Sequence, residues 1–77
     1  MSIHAWLIND EGYIFDGHEC LATEEEAKSW AYGRGNSYRL VTDNGVKRNI
    51  YRVTGNKAVY KYSDSTLRRN SWEPYYT

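Results

Sequence analysis

Few side chains in this 77-residue chain could make or break a bond. His4, His18 and Cys20 are the imidazole and thiol groups of interest. A structural zinc site takes four ligands, usually clustered Cys and His. His18-x-Cys20 supplies two and has no third beside it, so no metal is expected. Cys20 with His18 or His4 is the one conceivable nucleophile–base pair, and it would need a stabilised thiolate. Glu24, Glu25 and Glu26 follow closely and would oppose that charge. Asp16 and Glu19 read most simply as solvated carboxylates. Gly-rich phosphate loops, nucleophile elbows and metalloprotease helices are missing from the sequence. The expectation is a protein that is not an enzyme and needs no cofactor, metal or small-molecule substrate.

Rings and cations are plentiful instead. The chain has eight Tyr and three Trp against one Phe. Rings with a polar edge can bury one side and still offer a hydrogen bond. They also sit among the residue types enriched at interface hot spots. Tyr38-Arg39, Lys47-Arg48, Tyr51-Arg52, Tyr60-Lys61-Tyr62 and Arg68-Arg69 place rings and positive charges side by side. Such a pattern can stack bases and neutralise phosphates. The formal net charge of zero hides a division. Residues 1–33 carry seven carboxylates against Lys28 alone, a net −6, and residues 34–77 carry nine cations against three carboxylates, a net +6. This asymmetry bears on partners rather than on fold, unless folding pairs the two halves.

The elements that must position these groups are legible. Thr23 followed by Glu26 is a capping box, with the hydroxyl accepting from the amide three residues on and the carboxylate reaching back to Thr23. Glu24, Glu25 and Glu26 suit the positive end of a helix dipole. Ala27, Trp30 and Ala31 form one apolar stripe, with Trp30 as its bulk, and Gly33 or Gly35 can end the helix. A helix over 23–33 follows. Before it, residues 2–8 and Tyr13–Phe15 read as strands around the Asn9-Asp10-Glu11-Gly12 turn, giving a hairpin over 2–16. Asp16-Gly17 is expected to bend or end its second strand.

After the helix, Asn44-Gly45 between β-prone runs signals a two-residue type I′ hairpin, with Val46–Val53 as the returning strand. Thr54-Gly55-Asn56 turns the chain again into Lys57–Tyr62. Residues 38–62 therefore form a three-stranded meander. Alternation along it is imperfect, and a slip of one residue would exchange its faces. Tyr60 and Tyr62 are expected on one face together. Residues 63–77 lack a period, and Trp72, Tyr75 and Tyr76 make this aromatic tail too apolar to be purely solvated. It either folds back or anchors a partner.

The whole, residues 1–77, is one α+β domain: an antiparallel sheet of about five strands with the helix packed on one face. No apolar run approaches the roughly 18–20 residues that cross a membrane. The lone Cys20 fits a reducing compartment, and no basic segment followed by an apolar block opens the chain, so a cytoplasmic setting is expected.

A compact chain with a hairpin, a Thr-Glu-Glu-Glu-Ala-Lys-Ser-Trp helix, a Tyr-rich meander and no catalytic motif resembles small phage-encoded inhibitors of the anti-CRISPR type. The resemblance implies docking on a host protein or ribonucleoprotein such as a CRISPR effector, where it would block nucleic-acid binding or the nuclease step. The acidic helix start and the basic meander are then two docking surfaces. A glutamate cluster can occupy a groove built for phosphates, because the same charge-assisted bonds apply. Glu24, Glu25, Arg48, Tyr51, Arg52 and Lys61 are the expected contact residues, with Trp72 and Tyr76 as anchors. The alternative is a nucleic-acid-binding module that uses the Tyr/Arg/Lys-rich sheet face.

Overall fold

The computed structural model describes residues 2–35 and 37–64. The element order is β1 (Ile3–Ile8), β2 (Ile14–Leu21), α1 (Glu24–Ala31), β3 (Tyr38–Asp43), β4 (Arg48–Thr54) and β5 (Lys57–Asp64). The strands form one antiparallel sheet in the order β2-β1-β3-β4-β5. The α+β class holds. The β1–β2 hairpin and the β3-β4-β5 meander meet at the β1–β3 ladder. Because β2 and β3 both run antiparallel to β1, they are parallel to each other. The connection between them therefore has to cross the sheet, and α1 makes that crossing.

Thr23 caps α1, accepting from Glu26 N–H at 3.1 Å. The Glu26 carboxylate reaches back one residue further than the capping box requires, taking the Ala22 N–H at 3.0 Å. The helix ends at Ala31, and Gly33 takes φ +76°, a left-handed conformation that glycine adopts without strain. Its fully buried residues are Ala27 and Ala31. Trp30 is not the bulk of the core. It lies half-buried at the margin, and the sheet supplies the large side chains instead.

Alternation then sorts the strands into two layers. On the helix side, Ile3, Ala5, Leu7, Leu21, Tyr38, Leu40, Tyr51 and Val53 pack with the two helix alanines. Burying a side chain such as Leu7 or Leu40 contributes roughly 2 kcal/mol each. On the far side, Trp6, Ile8, Val41 and Ile50 form a second cluster, with Ile14 against it. Register aligns Gly17, Trp6, Val41, Ile50 and Tyr62 in one row across that face.

Two boundaries differ from expectation. Of the two outcomes expected at Asp16-Gly17, an end to the strand is ruled out, because β2 runs on to Leu21 with irregularities at each end of its ladder with β1. An extra residue bends the strand without ending its pairing. The Asn44-Gly45 connection is also longer than a two-residue turn. β3 stops at Asp43 and β4 starts at Arg48, so Val46 and Lys47 belong to the loop. Side chains explain this. Asp43 Oδ1 accepts the Gly45 N–H at 2.8 Å, and Asn44 Oδ1 accepts the Val46 and Lys47 N–H groups at 2.8 and 3.0 Å. Asx bonds of this kind compete with ladder pairing.

A further irregularity lies in the β4–β5 ladder. Tyr51 pairs with Tyr60 and Ile50 with Tyr62, so Lys61 is the extra residue. Tyr60 therefore sides with the helix and Tyr62 with the far face, and the two rings do not share a surface. Among the described residues, no helix is long and apolar enough to cross a membrane.

Candidate interaction surface

Glu24 opens α1 and turns inward. Its Oε2 accepts from Thr42 Oγ1 at 2.5 Å, Tyr51 hydroxyl at 2.7 Å and Asn49 Nδ2 at 3.0 Å. One carboxylate oxygen thus fastens the first turn of the helix to β3 and β4. The Tyr51 phenol is held well above its ordinary pKa, first by burial, then by its hydrogen bond to Glu24 and by the charges of Glu24 and Glu25. Tyr51 also packs edge-on to Tyr60, and the Lys28 ammonium lies 4.9 Å from its ring centre. Glu25 stays at the surface, 3.5 Å from Lys28.

Arg48 is buried, only 1% exposed, and so is not a surface contact. Its Nε donates to Asp43 Oδ2 at 2.9 Å, and its guanidinium lies 5.5 Å from the Trp6 ring centre. The β3–β4 register sets Arg48 opposite Asp43, so the pair closes the hairpin from within. Arg52 is half-buried, and its Nη1 donates to Ser37 Oγ at 2.9 Å and Asp10 Oδ1 at 3.2 Å. Arg34 pairs with Asp16 and covers the Trp30 ring. Arg52–Asp10 and Arg34–Asp16 each join the basic half of the chain to the acidic half. The charge division read along the sequence is thus partly cancelled by folding.

His18 Nδ1 accepts from the Cys20 backbone N–H at 3.3 Å, so that ring nitrogen serves the chain and not the thiol. The imidazole and the Trp30 ring form a T-shaped pair with centres 5.7 Å apart. Cys20 is exposed. Among the described residues, no group of three or more His, Cys, Asp or Glu is placed to hold a metal ion.

Protein-family models, curated proteins and solved structures all yield no match to this chain.

Of the residues expected to meet a partner, Glu24, Tyr51 and Arg48 are engaged inside the domain, while Glu25 and Lys61 are exposed. Trp72 and Tyr76 lie outside the described residues. What sequence reasoning missed is the display along β5. Val59, Tyr60 and Tyr62 are 48%, 54% and 51% exposed on this edge strand. Lys57 and Lys61 are exposed among them. β5 pairs only with β4 among the described strands, which makes it an edge strand of the described sheet. The signal was present as Lys-x-Val-Tyr-Lys-Tyr, but it could not be recognised as an edge before the strand order was known.

Proposed function

We propose that this protein is a non-enzymatic docking module that inhibits or regulates a host protein or ribonucleoprotein complex, a CRISPR effector being the case its sequence style resembles. The observation that carries this reading is the β5 edge. It combines apolar rings, exposed lysines and a strand edge with no partner among the described strands, the ingredients of recognition by strand addition. Supporting it, two of the arginines expected on a phosphate-binding face are engaged within the domain. Arg48 is internal, and Arg52 already faces the Asp10 carboxylate. The partner that fits β5 offers a strand edge and an acidic border for Lys57 and Lys61.

The test is a binding measurement on the full chain against a purified CRISPR effector ribonucleoprotein, and against single- and double-stranded nucleic acid, at two salt concentrations. Saturable binding to the ribonucleoprotein without retention on bare nucleic acid is expected. Binding to nucleic acid alone, falling steeply with salt, would replace this reading with that of a nucleic-acid module.

A further inference from the structure

Register lines up Ile14, Ile8, Arg39, Arg52 and Val59 in one row across the sheet, on the face away from α1. Arg39 and Arg52 are direct partners on β3 and β4. Directly opposite side chains on antiparallel strands start about 4.5–5.5 Å apart at Cβ, and like charges placed so repel. Lys57 lies on the same face of β5, two residues from Val59, and is exposed. Three cations thus share one corner of the sheet, and Asp10 is the carboxylate that meets them among the described residues. The Asp10 side chain is 68% exposed, so its pair with Arg52 contributes little to stability. Folding alone gives no reason to set two arginines opposite each other.

The donors of this corner are not exhausted. Arg52 makes both of its bonds, to Asp10 Oδ1 and Ser37 Oγ, through Nη1, which leaves Nε and Nη2 to a further acceptor. Arg39 is half-buried and forms no hydrogen bond or ion pair with another described residue. The Arg52 side chain is 39% exposed and Val59 is 48% exposed, so the corner is open from the β5 side. A guanidinium presents its N–H donors in a planar fork that matches a carboxylate or a phosphate. Two forks on adjacent strands can hold one oxyanion between them. Asp10 already shows this corner taking a carboxylate. The excess over Asp10 is two positive charges, enough for an acidic side chain and far short of a phosphate chain, which would also be repelled by Asp10. Exposed Val59 offers an apolar contact to the residue beside that acid.

We propose that Arg39, Arg52 and Lys57 form an oxyanion subsite that takes an acidic side chain of the docking protein, seated over Val59 as the partner passes from the β5 edge onto the sheet. The assignment rests on the docking reading of β5 and gives that partner its chemistry, an Asp or Glu beside an apolar residue. Arg39 and Arg52 supply the paired forks, and Lys57 adds charge at the rim. The repulsion between the two guanidiniums is relieved when the carboxylate enters.

Tetraglutamate is the probe, titrated into the full chain while the arginine Nε–Hε groups are followed by NMR. Saturable shifts of Arg39 and Arg52 are expected, with the internal Arg48 unmoved. Oligothymidylate at equal charge concentration should act more weakly. Arg39→Gln should reduce tetraglutamate affinity about fivefold or more, as expected for losing charge-assisted hydrogen bonds. Because it removes a like charge, it should melt no lower than the parent. Arg39→Glu, which pairs with Arg52, should abolish the shifts and melt higher. Unmoved Arg39 and Arg52 signals, an equal response to oligothymidylate, or a lower melting temperature for Arg39→Gln would overturn the subsite. Binding to the effector ribonucleoprotein separates the two readings. Full affinity in Arg39→Gln would leave the β5 edge standing and remove the subsite. Tetraglutamate shifts without ribonucleoprotein binding would support the subsite and remove the effector as partner.

Discussion

The Glu24 carboxylate and the Tyr51 hydroxyl meet at 2.7 Å, joining the first turn of α1 to the middle of β4 across 27 residues of chain. Thr42 and Asn49 donate to the same oxygen. A helix of eight residues is too short to be stable alone, so its place depends on such tertiary bonds. Glu24 serves both as a first-turn acid favoured by the dipole and as the bolt that fixes the helix to the sheet.

Glu24→Ala should therefore destabilise the domain by about 3 kcal/mol, because three donors lose their acceptor in a partly buried place. Glu24→Gln keeps an acceptor oxygen and should cost roughly half as much. Urea denaturation of both, with Tyr51→Phe completing a double-mutant cycle, measures the coupling. Additive effects of Glu24→Ala and Tyr51→Phe would show that the bond contributes nothing.

Tyr51 also predicts an alkaline limit. Its phenol holds its proton more tightly in the folded protein than in the unfolded chain, where its pKa is about 10. This contribution is complete below pH about 10 and is lost above it, as the unfolded chain releases a proton that the folded one retains. Stability should fall with a slope of up to about 1.4 kcal/mol per pH unit from this group. Tyr51→Phe should be less stable than the parent at pH 8 and lose less on going to pH 11. Parallel stability curves for the two proteins would contradict the assignment.

The Arg48–Asp43 pair is internal, so its removal should act on folding. Arg48→Ala leaves a buried carboxylate without its cation and should cost about 3 kcal/mol or more, whereas Arg48→Met, which fills the space, should cost less than Arg48→Ala. Arg48→Glu sets two carboxylates together and should unfold the domain. Circular dichroism melts distinguish these outcomes, and a fully stable Arg48→Glu would mean that the pair is not buried.

On β5 the expectation is reversed. Lys61→Glu with Tyr62→Ser changes exposed groups and should alter stability by less than about 1 kcal/mol. Affinity for the ribonucleoprotein partner should fall at least tenfold. Undiminished affinity would remove β5 from the interface.

Two glycines offer a sharp contrast. Gly45 has φ +92° and open space around it, so Gly45→Ala should cost about 1–2 kcal/mol through backbone strain alone. Gly17 lies beneath Trp6 without positive φ, and an added Cβ would meet Ala5 O at 3.6 Å and Trp6 Cδ1 at 3.8 Å, both ordinary contacts. Gly17→Ala should be close to neutral. Thermal melts of the two variants check the difference.

Most of the fold was legible along the chain because its signals are local. Thr23 with Glu26 marks a helix start, and Thr54-Gly55-Asn56 marks a turn between β-prone runs, whatever else surrounds them. The loop at Asn44-Gly45 was misjudged because the Asx bonds from Asp43 and Asn44 offered the backbone a longer alternative to a two-residue turn. The contact residues fared differently. Nothing in Tyr-Arg or Lys-Arg as neighbours says which member faces in, and one extra residue at Lys61 is enough to send Tyr60 and Tyr62 to opposite faces.

By itself the sequence determined the α+β class, the place of the helix, the meander and the lack of a clustered catalytic or metal motif, because composition, capping and turn chemistry act over a few residues. Tertiary structure alone decided that Glu24, Tyr51 and Arg48 serve the interior and that β5 lies at an edge of the described sheet. Burial and charge pairing depend on residues brought together from distant parts of the chain, and no short stretch of sequence contains both partners.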